Sequence, residues 1–304
     1  MFFEASRTAV AMCSNGVALL VIGVWAARNE IAAARGLDKI VALSNVCFAT
    51  PLAVFGALHL FNSQALVGFV PPYMPGRMFW VYFVGCALIA AALSIATGIA
   101  VRWSGLLVGV MMFLFVAMLY LPGALAEPHN RIVRTIVFRE TSFGGGGWLL
   151  AASAAGWGDG PGRGNSVLLI VGRIAVALAA IVFGVEHFLH PLGMPGVPLQ
   201  KEMPAWIPGR ALIDYVTGAA LVIAGVCFLL GSFFLGSKVR MAATYLGTWI
   251  LLLVVVIYGP VLLGALRDPA MGVKIEGINY FADTLLFAGV ILALAKATPR
   301  EAPE

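Results

Sequence analysis

The sequence predicts an all-α, polytopic membrane protein with about nine transmembrane helices. Its 304 residues are 61% apolar and only 11% charged, whereas a soluble domain carries about 25% charged residues. Apolar runs of about 20 residues, the length of a helix that crosses a bilayer, recur along the whole chain. A repeated series of residues divides all but the first helix into two four-helix units.

The repeat is clearest in two stretches that join apolar helices. Residues 54–77 read VFGALHLFNSQALVGFVPPYMPGR, and residues 182–210 read VFGVEHFLHPLGMPGVPLQKEMPAWIPGR. The offset is 128 at the start and 133 at the closing Pro-Gly-Arg, so the later loop is five residues longer. The matched polar residues are His59 with His187, Arg77 with Arg210, and Tyr82 with Tyr215. An ordered series of this kind predicts a duplication, and polar residues kept in both copies are the first candidates for function.

The chain begins with an element that has no counterpart in the repeat. Residues 8–27 are apolar and long enough to span a bilayer. The basic flank is weaker, and the apolar core longer, than in a cleaved signal peptide, which favours an uncleaved helix. Residues 1–39 therefore form an extra transmembrane helix followed by a polar connector.

The first predicted unit covers residues 40–157 and contains four helices. A proline-rich loop separates its first two helices, and a polar loop at 126–140 with three arginines precedes the fourth. The predicted helices are 40–61, 78–100, 103–121 and 141–157.

The second unit repeats this order over residues 167–296. A Gly-rich linker, residues 158–166, connects the units, and a polar tail covers 297–304. Each unit has an even number of helices, so the two copies enter the membrane from the same side as a parallel repeat. The predicted helices are 167–189, 211–235, 239–266 and 278–296.

The distribution of charged residues indicates membrane orientation and gives little information on binding partners. The net charge is +5, but the basic residues are scattered singly between apolar runs, which argues against nucleic acid as a partner. The balance of basic residues places the C-terminus in the cytoplasm and the proline-rich loops on the other face. The expected location is the bacterial inner membrane, with membrane lipid as the surroundings.

The four cysteines stand alone in apolar runs and are predicted to be buried structural thiols.

Three motifs in order resemble those of the DoxX family. The second copy has Phe-Gly-x-x-His at 183–187, Pro-x-Trp-x-Pro-Gly-Arg at 204–210 and Tyr-x-x-Gly at 215–218. The first copy has a similar proline loop before Arg77. The resemblance covers two tandem units from about residue 40. It implies four-helix units and a link to quinone-dependent oxidation in membrane complexes, so quinone is the candidate cofactor and membrane or peripheral redox subunits are the candidate partners. Some relatives of this architecture act on thiols, and the lack of a cysteine pair argues against that activity.

Polar residues near the helix ends form the candidate ligand-binding site. Glu186 and His190 share one helix face, and Arg210 and Asp214 share a face of the next helix. Arg210 lies in a first helical turn, where the helix dipole disfavours a cation, so it needs an anionic or carbonyl partner. We expect Glu186 and Asp214 to reach it beneath the loop 191–208. The predicted ligand-binding residues are Glu186, His187, His190, Trp206, Arg210, Asp214, Tyr215, His59, Arg77 and Tyr82.

Several interpretations of these residues remain open. The histidines can be structural groups that bind loop carbonyls, and the arginines can bind lipid phosphate. Glu186, His187 and His190 could hold a metal, and His59 with His187 could hold haem, although neither set converges in sequence, and no metal is predicted. The remaining interpretation is a pocket for a quinone or a lipid. The alternatives for the whole protein are a carrier for a small hydrophobic solute and a structural membrane subunit.

Overall fold

The computed structural model describes residues 2–154, 163–231 and 236–298, and most of these residues are helical. Nine long helices lie within these ranges: α1 (Phe2–Ala33), α2 (Ser44–Phe61), α3 (Arg77–Thr97), α4 (Val101–Phe115), α5 (Arg131–Ser153), α6 (Arg163–Leu189), α7 (Arg210–Leu230), α8 (Gly236–Leu253) and α9 (Met271–Ala297). Short helical turns, Asp38–Val41, Ser63–Leu66 and Val67–Phe69, flank α2.

Two of the long helices continue beyond a wide turn. A π turn, Val116–Tyr120, joins α4 to the helix Leu121–Ala126, and a second, Val254–Tyr258, joins α8 to the helix Gly259–Arg267. Each π turn ends at a tyrosine, and a proline follows two residues later. A proline lacks the N–H that would continue the regular ladder, which fits a change of hydrogen bonding at these points.

Eight helices in the described part of the chain are long and apolar enough to cross a membrane. This confirms the predicted integral membrane architecture. The ninth long helix, α5, differs because its first ten residues include three arginines and a glutamate. Those residues were predicted to form a loop, and that prediction was wrong. The side chain of Asn130 caps the helix by accepting the N–H groups of Ile132 and Val133, so α5 begins at Arg131.

Other boundaries differ by smaller amounts. The last helix begins at Met271, seven residues before the predicted start. Of the predicted linker, residues 163–166 belong to α6 and the rest lies outside the described residues, as does the tail beyond residue 298.

The helices pack in a closed order that joins the two predicted units. The contacts run α2–α3, α3–α4, α4–α5, α5–α6, α6–α7, α7–α8, α8–α9 and α9–α2. Helices α5 and α9 also pack against each other in the middle, and α1 lies outside against α2 and α3. The fourth helix of each unit therefore packs against the first helix of the other unit. Neither unit forms a separate bundle.

Four consecutive buried glycines, residues 144–147, allow this close packing around α5. A methyl group added at Gly147 would lie 2.7 Å from the carbonyl oxygen of Gly105 in α4. One added at Gly145 would lie 2.8 Å from the carbonyl oxygen of Gly172 in α6. Because successive helical residues point about 100° apart, the glycine run lets α5 contact neighbours on several sides.

The candidate site residues and the arginines of α5 lie at one end of the bundle. The chain order brings the C-terminal ends of α2 and α6 to the same end as the N-terminal halves of α3, α5, α7 and α9. The candidate site residues named from the sequence all belong to these segments or to the loops between them.

Candidate functional site

Glu186, near the end of α6, is buried and paired with two arginines of α5. Its Oε2 accepts from Arg131 Nε at 2.7 Å, and its Oε1 accepts from Arg134 Nη2 at 2.9 Å. His190 Nε2 lies 3.7 Å from the same carboxylate. The expected pairing of Glu186 with Arg210 does not occur, because α5 supplies both cations.

His187 and Asp214 form a second, fully buried pair. His187 Nδ1 lies 3.3 Å from Asp214 Oδ1, and His187 Nε2 accepts the backbone N–H of Gly196 at 3.0 Å. The accepted hydrogen bond leaves Nε2 unprotonated, so the ring proton is on Nδ1 and faces the carboxylate. The two atoms are 3.3 Å apart, but the directions of the groups are not those of a hydrogen bond. His187 and Asp214 are thus buried neighbours, and the loop binds the other ring nitrogen of His187.

Arg210 binds the loop backbone in place of the expected acids. Its Nη1 donates to the carbonyl oxygen of Met203 at 2.9 Å. Arg77 does the same in the first unit, with Nε donating to Val70 O at 2.9 Å and Nη2 to Val67 O at 2.6 Å. The predicted convergence of Glu186, His187, Arg210 and Asp214 is therefore wrong for the arginine. Both arginines fold back onto the loop that precedes their helix.

We expect Arg210→Ala to reduce stability by about 1.5–3 kcal/mol, the usual contribution of a hydrogen bond to a charged group. A buried ion pair would have cost about 3–5 kcal/mol. Arg77→Ala is the matched control and should cost at least as much, because Arg77 donates to more carbonyl groups. The measurement is the free energy of unfolding in mixed micelles. A loss at Arg210 well above that at Arg77 would contradict a purely loop-binding role.

The remaining predicted residues do not line the buried pairs. Trp206 is exposed, and Tyr215 stacks on Phe188 with ring centroids 6.0 Å apart. Tyr82 accepts a hydrogen bond from the Ser63 hydroxyl at 3.1 Å. His59 Nδ1 donates to the carbonyl oxygen of Phe55 at 2.8 Å. His190 faces Glu186 while His187 faces Asp214, so the metal set considered from the sequence does not converge on one point.

A large cavity lies beside the helices of the first unit. It is bounded by α2 to α5, by α9, by the loop between α2 and α3, and by Leu199 and Gln200 of the loop between α6 and α7. Its volume is about 1300 Å³. Aliphatic and aromatic side chains form most of the wall, with contributions from Phe55, Leu88, Met111 and Phe115. The polar residues of the wall that lie within long helices or π turns are His59, Ser104, Tyr120, Arg139, Glu140, Glu276, Asn279 and Asp283. The cavity therefore combines a long apolar space with a polar region.

An arginine and two acids dominate that polar region. Arg139 Nη1 donates to Asp283 Oδ2 at 2.9 Å, and Arg139 Nη2 donates to Glu140 Oε1 at 2.7 Å. Both carboxylates are buried, with side-chain exposures of 9% for Glu140 and 6% for Asp283. One guanidinium balances two carboxylates, so with both acids ionised the cluster has a charge of −1.

One residue of this cluster could have been recognised from the sequence without the repeat. Asp283 stands inside a long apolar run, and an acid at such a position is a functional candidate by default. Arg139 and Glu140 were assigned to a polar loop, which removed them from consideration. Asp283 and Arg139 were not recognised as partners because 144 residues separate them in the chain.

Comparisons of the chain with protein-family models, curated proteins and solved structures give no match. The resemblance to the DoxX family therefore stays a prediction that rests on the motifs themselves.

Proposed function

We propose that this integral membrane protein binds an amphipathic molecule, a membrane lipid or a quinone, in the cavity of the first unit. The observation that carries the proposal is the combination of an apolar space of about 1300 Å³ with the Arg139 cluster on its wall. Small-molecule sites usually have volumes of about 300–1000 Å³ and a few polar groups that fix the ligand. A cavity of this size has room for a long apolar chain.

The polar groups suit a headgroup that has both oxygen acceptors and hydroxyl or N–H donors. Arg139 and Tyr120 supply donors, while Glu140, Asp283 and His59 supply acceptors. A quinone carbonyl would accept from the first set, and the hydroxyl of a quinol would donate to the second. A charged group within lipid costs about 2.5–3.5 kcal/mol, and the cluster has one more carboxylate than its single guanidinium balances. A ligand headgroup with hydrogen-bond donors would stabilise the excess carboxylate.

The resemblance to the DoxX family extends the proposal to a role. It suggests a binding subunit of a membrane redox system, in the bacterial inner membrane with the C-terminus in the cytoplasm. Quinone would then be the ligand, and membrane or peripheral redox subunits would be the partners.

Mass spectrometry of lipids and quinones extracted from the purified protein tests the proposal. We expect about one equivalent of an amphipathic molecule per chain. Ala87→Trp, which places an indole in the cavity wall, should reduce the bound amount at least about threefold because it fills space that the ligand needs.

The matched control is Ala220→Trp, at the corresponding position of α7. Ala220 packs against the core and does not line the cavity. Equal retention of the molecule by both variants, with similar melting temperatures, would contradict binding in this cavity.

A further inference from the structure

The loop of the second unit enters the bundle, whereas that of the first does not. Residues 193–198 are six consecutive buried residues in the loop between α6 and α7. In the shorter loop 62–76 of the first unit, Ser63 alone is buried. The inserted segment, residues 192–203, is here named the plug. Its two arms are joined by hydrogen bonds from Met194 N to Lys201 O and from Met203 N to Leu192 O.

One peptide group of the plug is held from both sides. The Tyr258 hydroxyl donates to the carbonyl oxygen of Pro195 at 2.8 Å, and the N–H of Gly196 donates to His187 Nε2 at 3.0 Å. That carbonyl and that N–H belong to the same peptide unit. His187 and Tyr258 therefore act as a clamp for a secondary amide. A methyl group added at Gly196 would lie 3.2 Å from Thr284, which places Thr284 beside the clamp.

The clamp has counterparts in the first unit. His59 corresponds to His187, and Tyr120 corresponds to Tyr258, since each tyrosine closes a π turn. The residue that corresponds to Thr284 is Glu140. The two helices, α5 and α9, correspond at an offset of 144 residues. The same offset matches Gly145 of α5 with Gly289 of α9, and each of these glycines packs closely against the first helix of the other unit.

All three counterparts line the open cavity, whose wall also includes Leu199 and Gln200 of the plug. The loop 62–76 contributes to the wall without a buried insertion like that of the second unit. His59 donates from Nδ1 to Phe55 O, so its Nε2 is an acceptor, as that of His187 is. The cavity thus presents the same acceptor and the same hydroxyl donor that hold the plug. Glu140 adds a further acceptor where the second unit has a threonine.

We infer that the ligand of the first-unit cavity is an acyl lipid with a secondary amide, whose N–H donates to His59 and whose carbonyl accepts from Tyr120. The inference rests on the proposed function and narrows its ligand class. The plug occupies the site of the second unit as an internal amide, and the acyl chain of the ligand fills the apolar remainder of the first. An ester, or a quinone in its oxidised form, has no hydrogen-bond donor, so either would leave His59 and Glu140 facing a group without a donor.

Two radiolabelled probes that differ in one group test this inference on the full chain in detergent. N-ethylhexadecanamide has the amide, and ethyl hexadecanoate has an ester with the same carbon chains. We expect the amide to bind about tenfold more tightly, the effect of one hydrogen bond. His59→Phe should remove this preference by weakening amide binding alone. Tyr120→Phe should weaken both probes, because both have the carbonyl oxygen.

Tyr258→Phe is the matched control in the second unit. It should keep the preference for the amide, because His59 and Tyr120 are unchanged, and lower the melting temperature, because the Pro195 carbonyl loses its hydrogen bond. Equal binding of both probes by the unchanged protein, with binding lost in Ala87→Trp, would overturn the amide inference and keep the cavity. Binding of neither probe, together with the absence of any co-purified amphipathic molecule, would overturn the proposed function as well.

Discussion

Replacing Arg139 by methionine is expected to destabilise the protein by about 3–5 kcal/mol, the cost of leaving buried charge without its partner. Arg139 donates to Glu140 and to Asp283, and both carboxylates are buried. Without the guanidinium, two acids would face each other beside an apolar cavity, and they would have to take up a proton or admit water. The measurement is the free energy of unfolding in mixed micelles.

Arg134→Met is the control for the loss of an arginine from the same helix. The Arg134 side chain is 44% exposed, and its partner Glu186 keeps the hydrogen bond from Arg131. We expect this change to cost less than about 1 kcal/mol. If both variants lose a similar free energy of unfolding, then burial does not determine how much the Arg139 cluster contributes to stability.

The second large effect is expected at the contact between α5 and α6. Glu186→Leu should cost about 2–3 kcal/mol, because it leaves Arg131 and Arg134 without their carboxylate. The cost is below that of a fully buried pair since both arginines are partly exposed. Thermal and mixed-micelle unfolding would measure the loss.

The corresponding contact in the first unit suggests how to restore the stability. Leu58 of α2 occupies the position of Glu186, and an offset of 144 matches Arg131 and Arg134 with Ile275 and Ile278 of α9. Leu58, Ile275 and Ile278 belong to one apolar cluster. The triple variant Glu186→Leu, Arg131→Ile, Arg134→Ile should therefore recover the loss, because packed apolar residues often replace a buried ion pair without cost. A triple variant less stable than Glu186→Leu alone would refute the equivalence of the two contacts.

The sequence was sufficient to predict most helices of this protein. Apolar runs predicted a helix at the position of each of the nine long helices within the described residues, since length and hydropathy are local properties. The start of α5 was missed because its arginines argue against a buried helix. Glu140 is next to Arg139 in the chain, but the other partners, Glu186 and Asp283, belong to helices far along the chain, so within α5 the sequence offered one acid for three bases.

Of the predicted ligand-binding residues, His59 alone lines the cavity that carries the proposed function. The repeat identified His187, and burial with Asp214 follows from the order of the helices. Arg210 was assigned to the nearest acids in sequence, whereas α5 competes for Glu186 and the loop backbone takes the arginine. The five extra residues of the second loop were counted from the sequence. Their insertion into the bundle depends on the space between helices that are distant in sequence, and a local sequence pattern does not show that space.

The position of α5 also constrains how the chain is made. Helices enter the membrane in the order of their synthesis, and α5 is the long helix that hydropathy alone does not commit to the bilayer. The carboxylates of Glu186 and Asp283, which neutralise its arginines, arrive only with α6 and α9. Until then Glu140 is the one acid that α5 itself provides. We therefore expect the arginines of α5 to meet all of their carboxylate partners only after α9 has entered the membrane.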